Sequence, residues 1–195
     1  MGLVNRELAK GNLMGYLAAN GRIFTASAAA QNTAVTGATS FATTTPTILL
    51  DIPSGTTAFP LRLTAGQTGT VAGGAVTGIV EWDNADRYTS GGTAATTLNQ
   101  MFHNRTNLAT LYTATGTAIT ATDAYGVRDM ALTFGADVDT AEGALQEFIW
   151  TPNAGPIGLR GPAAWLVYFY AASTGPTIWY TFSWGEVQST DYNVA

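Results

Sequence analysis

The sequence predicts an all-β protein: a jelly-roll-like antiparallel β-sandwich preceded by a short helical or extended N-terminal arm. Three observations carry that expectation. From Gly21 onward, glycine, proline, threonine and asparagine punctuate the chain about every ten residues, the rhythm of many short strands. Threonine supplies about one residue in six, and its β-branched hydroxyl side chain suits a pleated strand whose outer face meets water or a polar neighbour. Apolar residues reach 46% with no cysteine, enough for a core that needs no disulfide or zinc staple.

Residues 1–20 read as the arm and 21–195 as the sandwich. In the arm Leu3, Val4, Leu8, Leu13 and Tyr16 or Leu17 recur at loosely helical spacing, weakened by Gly11 and Gly15, which cost about 1 kcal/mol each relative to alanine. It is expected either to pack on its own domain or to reach a neighbouring subunit. Strands are predicted at Ile23 to Ala30, Pro46 to Ile52, Ala58 to Leu63, Ala75 to Trp82, Leu108 to Ala114, Ala118 to Thr122, Asp129 to Phe134, Ala144 to Trp150, Ala163 to Ala172 and Thr177 to Val187. The stretch Thr96 to His103 has Leu98, Met101 and Phe102 placed for a turn or two of helix. Strand order is left open.

The last two strands are the most informative. Trp165, Val167 and Phe169 alternate with Leu166, Tyr168 and Tyr170, so both faces of that strand are apolar or aromatic. In the next strand Ile178, Tyr180, Phe182 and Trp184 face one way, and Trp179, Thr181 and Ser183 the other. One face lines the core, and the second needs cover. A partner subunit is the expected source, with Trp165, Tyr168, Tyr170 and Trp179 as candidate interface residues, because aromatics with a polar tip are enriched at interfaces. The alternative is cover from the arm or a long loop of the same chain.

Charge excludes several functions. Only 11% of residues are charged, less than half of the approximately 25% usual for soluble domains, and Lys10 is the only lysine. Such a surface loses little side-chain entropy when covered, which favours a permanent oligomer. The net charge is −5 and no Arg/Lys run is present to neutralise phosphates, so no nucleic-acid partner is expected. The longest apolar run, Ala163 to Ala172, is too short for a membrane helix, which needs about 20 residues. Glu7 and Lys10 interrupt any signal-peptide pattern, so synthesis in a cytosol is expected.

Catalytic signals are weak, and no cofactor is expected. His103 is the only histidine and has no nucleophile motif beside it. Glu81, Asp83 and Asp86 form one acidic cluster, and Asp137, Asp139 and Glu142 a second; both read as turn carboxylates, since neither has the glycine placement of a twelve-residue calcium loop. Glu81 and Glu147 are the strand-borne pair available for glycosidase chemistry, and Trp82, Tyr88 and Trp150 the aromatics available to stack sugars.

The segment Thr43 to Leu63, TTTPTILLDIPSGTTAFPLRL, resembles tailed-bacteriophage virion proteins in which a strand ends in a P-S-G-T-T corner and returns as a second strand. Pro53 closes the first strand, Gly55 permits a positive φ, and Thr56 and Thr57 open the return. The match covers about 20 of 195 residues. It implies a jelly-roll decoration, or cement, protein on a phage capsid: a non-enzymatic virion component, trimeric by preference, that binds the major capsid protein or other virion subunits. A carbohydrate-binding or tail- or fibre-associated sandwich module is the competing expectation.

Overall fold

The computed structural model describes residues 13–28, 34–67, 75–101, 104–113, 118–120, 127–135, 147–153, 155–172 and 175–190, with the backbone alone for 118 and 127–135. Among the described residues one helix, α1 (Leu13–Ala19), precedes a chain whose remaining regular structure is β. The strands are β1 (Ile23–Ser27), β2 (Val35–Thr36), β3 (Ile48–Ile52), β4 (Thr56–Gln67), β5 (Ala75–Asp83), β6 (Tyr88–Ser90), β7 (Thr93–Ala94), β8 (Leu98–Asn99), β9 (Thr110–Thr113), β10 (Ala118–Ile119), β11 (Val127–Gly135), β12 (Glu147–Trp150), β13 (Leu159–Arg160), β14 (Ala163–Tyr170) and β15 (Thr177–Gln188).

Eight of these build the sandwich: β1, β3, β4, β5, β11, β12, β14 and β15. The first sheet runs β12-β4-β15-β1 and the second β11-β5-β14-β3. Numbered along the chain, the first of the eight pairs with the eighth, the second with the seventh, the third with the sixth and the fourth with the fifth, all antiparallel. The chain is thus one long hairpin rolled so that successive strands alternate between sheets, except at its tip, where β5 and β11 pair within the second sheet. That order defines a jelly roll and settles the topology that strand count left open.

Side-chain alternation decides what each face buries. Trp165, Val167 and Phe169 of β14 face Phe148 and Trp150 of β12 and Tyr180, Phe182 and Trp184 of β15 across the sheets, in a single cluster. The Trp165 indole stacks on Phe182 at 4.1 Å and 8°, and Phe182 on Trp184 at 5.4 Å and 16°. In β5, Gly78 supplies the room that Phe148 and Phe169 occupy: a Cβ there would lie 2.5 Å from the Phe148 ring and 2.8 Å from that of Phe169.

The predicted corner is present. β3 belongs to the second sheet and β4 to the first, so Pro53 to Gly55 carries the chain across the sandwich. Gly55 adopts φ +83°, and the Ser189 N–H donates to its carbonyl at 2.7 Å. Pro60 lies inside the central strand β4 without harm. It falls between the part of β4 paired with β12 and the part paired with β13, beside a bulge against β15, where no ladder hydrogen bond requires its missing N–H.

The described residues between β5 and β11 cross to the far side of the sandwich. There β8 pairs with β1, and β9 with β3, so this excursion extends both sheets beyond the eight-strand frame and covers edges that would otherwise be open. The helix expected over Thr96 to His103 is replaced, in its described part, by β8 and a turn. Leu98 is 68% exposed and has no core face to bury, so edge pairing prevails over helical spacing. Residues 102 and 103 lie outside the described residues.

Helix α1 packs on the outer face of the first sheet, with Tyr16 and Leu17 set against Ile23, Phe59 and Val187. The Leu17 side chain occupies the space over Gly185, where a Cβ would come within 2.5 Å of it. The helix ends in a cap in which the N–H groups of Gly21 and Arg22 donate to the carbonyls of Ala18 and Leu17. This part of the arm is seated on its own domain; residues 1–12 are outside the described set.

Candidate functional site

The outer face of the second sheet is covered from within the chain. Leu166 and Tyr168 pack with Leu49, Ile79 and Ile119, joined by Phe41, Tyr88, Tyr112 and Tyr170. The Phe41 ring meets Tyr168 edge-on at 5.2 Å, the Tyr168 hydroxyl donates to the Thr43 carbonyl at 3.0 Å, and Tyr88 stacks on Tyr112 at 4.2 Å. The loop before β3 and the 84–126 excursion thus supply the cover that the sequence assigned to a partner. Of the four candidate interface residues, Trp165 lies in the core and Tyr168 beneath this cover, so neither offers side-chain surface to another molecule. Tyr170 is half-buried against Phe41 at 5.9 Å, and Trp179 is exposed. The doubly apolar strand was legible, and of the two sources of cover the sequence offered, the structure shows the loop of the same chain rather than requiring a partner.

The catalytic candidates are separated by the same alternation. In β5, Val76 and Val80 point into the core, which puts Glu81 on the outer face of the second sheet, opposite Leu166 in register. In β12, Phe148 and Trp150 point inward, which puts Glu147 on the outer face of the first sheet. The two carboxylates are on opposite exteriors of a sandwich whose sheets stand about 10 Å apart. They cannot flank one glycosidic bond, for which carboxyls must face each other across about 5 to 9.5 Å. Of the proposed sugar-stacking aromatics, Trp150 is in the core, Trp82 packs partly buried against it, and Tyr88 is engaged with Tyr112.

Around the first acidic cluster, Asp83 is held by Arg87, with Nη2 and Nε at 2.5 and 2.7 Å from Oδ2. Asp51 lies in the same row as Asp83, separated by Ala164 of β14. Burial, and then the negative charge of Asp86, raises its pKa. Among the described residues no group of three or more His, Asp or Glu side chains is arranged to hold a metal ion. His103, Asp137, Asp139 and Glu142 lie outside the described residues.

Sequence reasoning missed Glu186. It is 1% exposed, on the inner side of β15, and its carboxylate accepts hydrogen bonds from the N–H groups of Leu108 and Ala109 and from the Trp184 indole at 3.2 Å. Burial raises its pKa, opposed by those donors and by the positive charge of Arg22. Its position ties the 84–126 excursion to the last strand, which makes it a structural clip.

Among the described residues one sheet face is left open, the half of the first sheet that α1 does not reach. Its rows follow from the register. Trp179, Gly66 and Glu147 stand side by side on β15, β4 and β12; Thr181, Thr64 and Ile149 form the next row, with Ser27 beyond; Ser183 and Arg62 follow, with Thr25 beyond. Thr25 and Ser183 share a hydroxyl hydrogen bond of 2.9 Å, Gln100 donates to both oxygens, and Arg62 Nε donates to Thr64 Oγ1 at 3.3 Å. Trp179 is 37% and Ile149 45% exposed in this otherwise hydroxyl- and amide-rich surface. A lone tryptophan on the threonine and serine side of β15 was the available signal; its glycine neighbour on β4 became visible only with the register.

No family model matches the chain, and neither does any curated protein or solved structure.

Proposed function

We propose that this protein is a non-enzymatic virion structural subunit that decorates and stabilises a phage capsid as a homo-oligomer, a trimer by preference, through contacts with the major capsid protein or other virion subunits. The observation that supports it most is the pairing order of the eight principal strands, since jelly rolls recur in viral capsid domains. The P-S-G-T-T corner, where it resembles phage virion proteins, forms the crossover between the sheets of that same frame. The charge-poor composition agrees with a surface meant to be covered. In this reading the Ala/Thr-rich stretches of the sequence, such as 26–42 and 66–77, contact the shell. By mass action a subunit that binds only the assembled shell stabilises it by about 2.7 kcal/mol per site at a hundredfold excess over its dissociation constant.

The test is co-sedimentation of the purified chain with expanded and unexpanded capsid shells. The reading expects saturable binding to expanded shells and a higher shell disruption temperature. Absence of binding to either form overturns it.

The second reading, a carbohydrate-binding or tail- or fibre-associated module, is favoured by a separate observation: Trp179 is exposed on an open sheet face.

A further inference from the structure

We infer that the open face of the first sheet is a binding groove for a neutral oligosaccharide chain, running along β4 with Trp179 as its stacking platform. This deepens the carbohydrate-binding reading and is independent of capsid decoration.

The groove follows from side-chain size across three paired strands. Its floor is β4, where Gly66 and Thr64 present small groups; a Cβ built on Gly66 would meet no atom within 4 Å, so the space above it is open. One wall is Trp179 and Thr181 of β15, and the other is Glu147 and Ile149 of β12. Those walls stand two strand spacings apart, about 9.6 Å between backbones, a width that takes one sugar chain. From the Trp179 row to the Thr181 row is two residues, about 7 Å, and beyond it Arg62 takes the floor position in the Ser183 row and closes that end.

The chemistry of the walls selects the ligand. A pyranose has one face of axial C–H groups, which packs on an indole, and a rim of hydroxyls that needs both donors and acceptors. Trp179 and Ile149 supply the apolar contact. Glu147 accepts from sugar hydroxyls, Arg62 donates, and the hydroxyls of Thr64 and Thr181 do either. The hydrogen bonds linking Arg62 to Thr64, and Gln100 to Thr25 and Ser183, hold this polar surface in place before a ligand arrives. Among the described residues the groove carries one carboxylate, Glu147, and one guanidinium, Arg62, which gives a sulfated or uronic-acid polymer no advantage. Nor does the face suit a protein partner as well, because its two apolar side chains are set among hydroxyls with no contiguous apolar centre.

The experiment titrates the full chain with neutral hexaoses of glucose, mannose and N-acetylglucosamine up to 10 mM, following tryptophan fluorescence and heat, with a polygalacturonate oligomer as the charged comparison. Saturable binding of at least one neutral hexaose is expected, weakened at least tenfold by Trp179→Ala and by Gly66→Val, which fills the floor. Gly66→Val adds a β-branched side chain to an open strand position, so its folded circular dichroism and unfolding temperature are expected to match those of the parent. The inference is overturned if no neutral hexaose binds, if the charged oligomer alone binds, or if Trp179→Ala and Gly66→Val leave affinity unchanged. It is also overturned if Trp179→Ala converts an oligomer to a monomer, which would make this face a subunit interface. Shell co-sedimentation is read separately, so loss of glycan binding and loss of capsid binding are distinguishable.

Discussion

Glu186 shows how a single buried side chain makes stability depend on pH. A carboxyl whose folded pKa lies above its unfolded value, about 4.5 for glutamate, takes up a proton on folding. The stabilisation is fully present below the unfolded value and is lost as pH rises through the folded one. Asp51, raised by burial and by Asp86, acts in the same direction. The unfolding temperature is therefore expected to rise as pH is lowered from neutrality towards the unfolded values of about 4, and Glu186→Gln to weaken that dependence; calorimetry against pH checks both. Glu186→Ala is a different perturbation. It strands the Leu108 and Ala109 N–H groups and removes the counter-charge to Arg22, at an expected cost of about 3 kcal/mol in urea unfolding. At Gly78 the limit is volume: Gly78→Ala forces a methyl group into the Phe148 and Phe169 rings and is expected to cost about 1 to 3 kcal/mol, whereas the open space at Gly66 predicts no such penalty for Gly66→Val.

Helix α1 has seven residues, too few to be stable alone, and owes its existence to the sheet beneath it. Leu17 is its anchor, fully buried over Gly185 and beside Phe59 and Val187. Leu17→Ala is expected to destabilise the whole fold by about 2 to 4 kcal/mol in denaturant unfolding. A change of only a few tenths would mean the helix is not docked in solution. The strands were legible for a related reason. β14 and β15 carry long period-two patterns, and burial follows them residue by residue, with Trp165, Val167 and Phe169 inward and Leu166 and Tyr168 outward. The two-residue strands β7, β8 and β13 have no such period. They exist because a neighbouring edge offers backbone donors and acceptors, which no local pattern records.

For the molecule as a whole, the rolled hairpin sets which surfaces are free. The second sheet is covered by the chain's own loop and excursion, while the first retains an open half. The proposed trimer predicts a solution mass of about 60 kDa by light scattering, three times the 20.3 kDa chain. A 20 kDa species at micromolar concentration would remove the homo-oligomer from the proposal. The aromatic core does not discriminate between these outcomes, since the rings of Trp165, Phe182 and Trp184 are buried and stacked on one another within one chain.

By itself the sequence determined the all-β class, nearly every long strand, the Pro53 to Gly55 corner and the inward and outward faces of β14 and β15. Each depends on local spacing: period-two burial, turn residues, and a backbone angle only glycine adopts readily. Tertiary structure alone decided the jelly-roll order, the internal cover over Tyr168, the separation of Glu81 from Glu147, the burial of Glu186 and the placing of Gly66 beside Trp179. Those are relations between residues far apart in the chain, fixed by which strands pair and in what register, and local pattern carries no information about either.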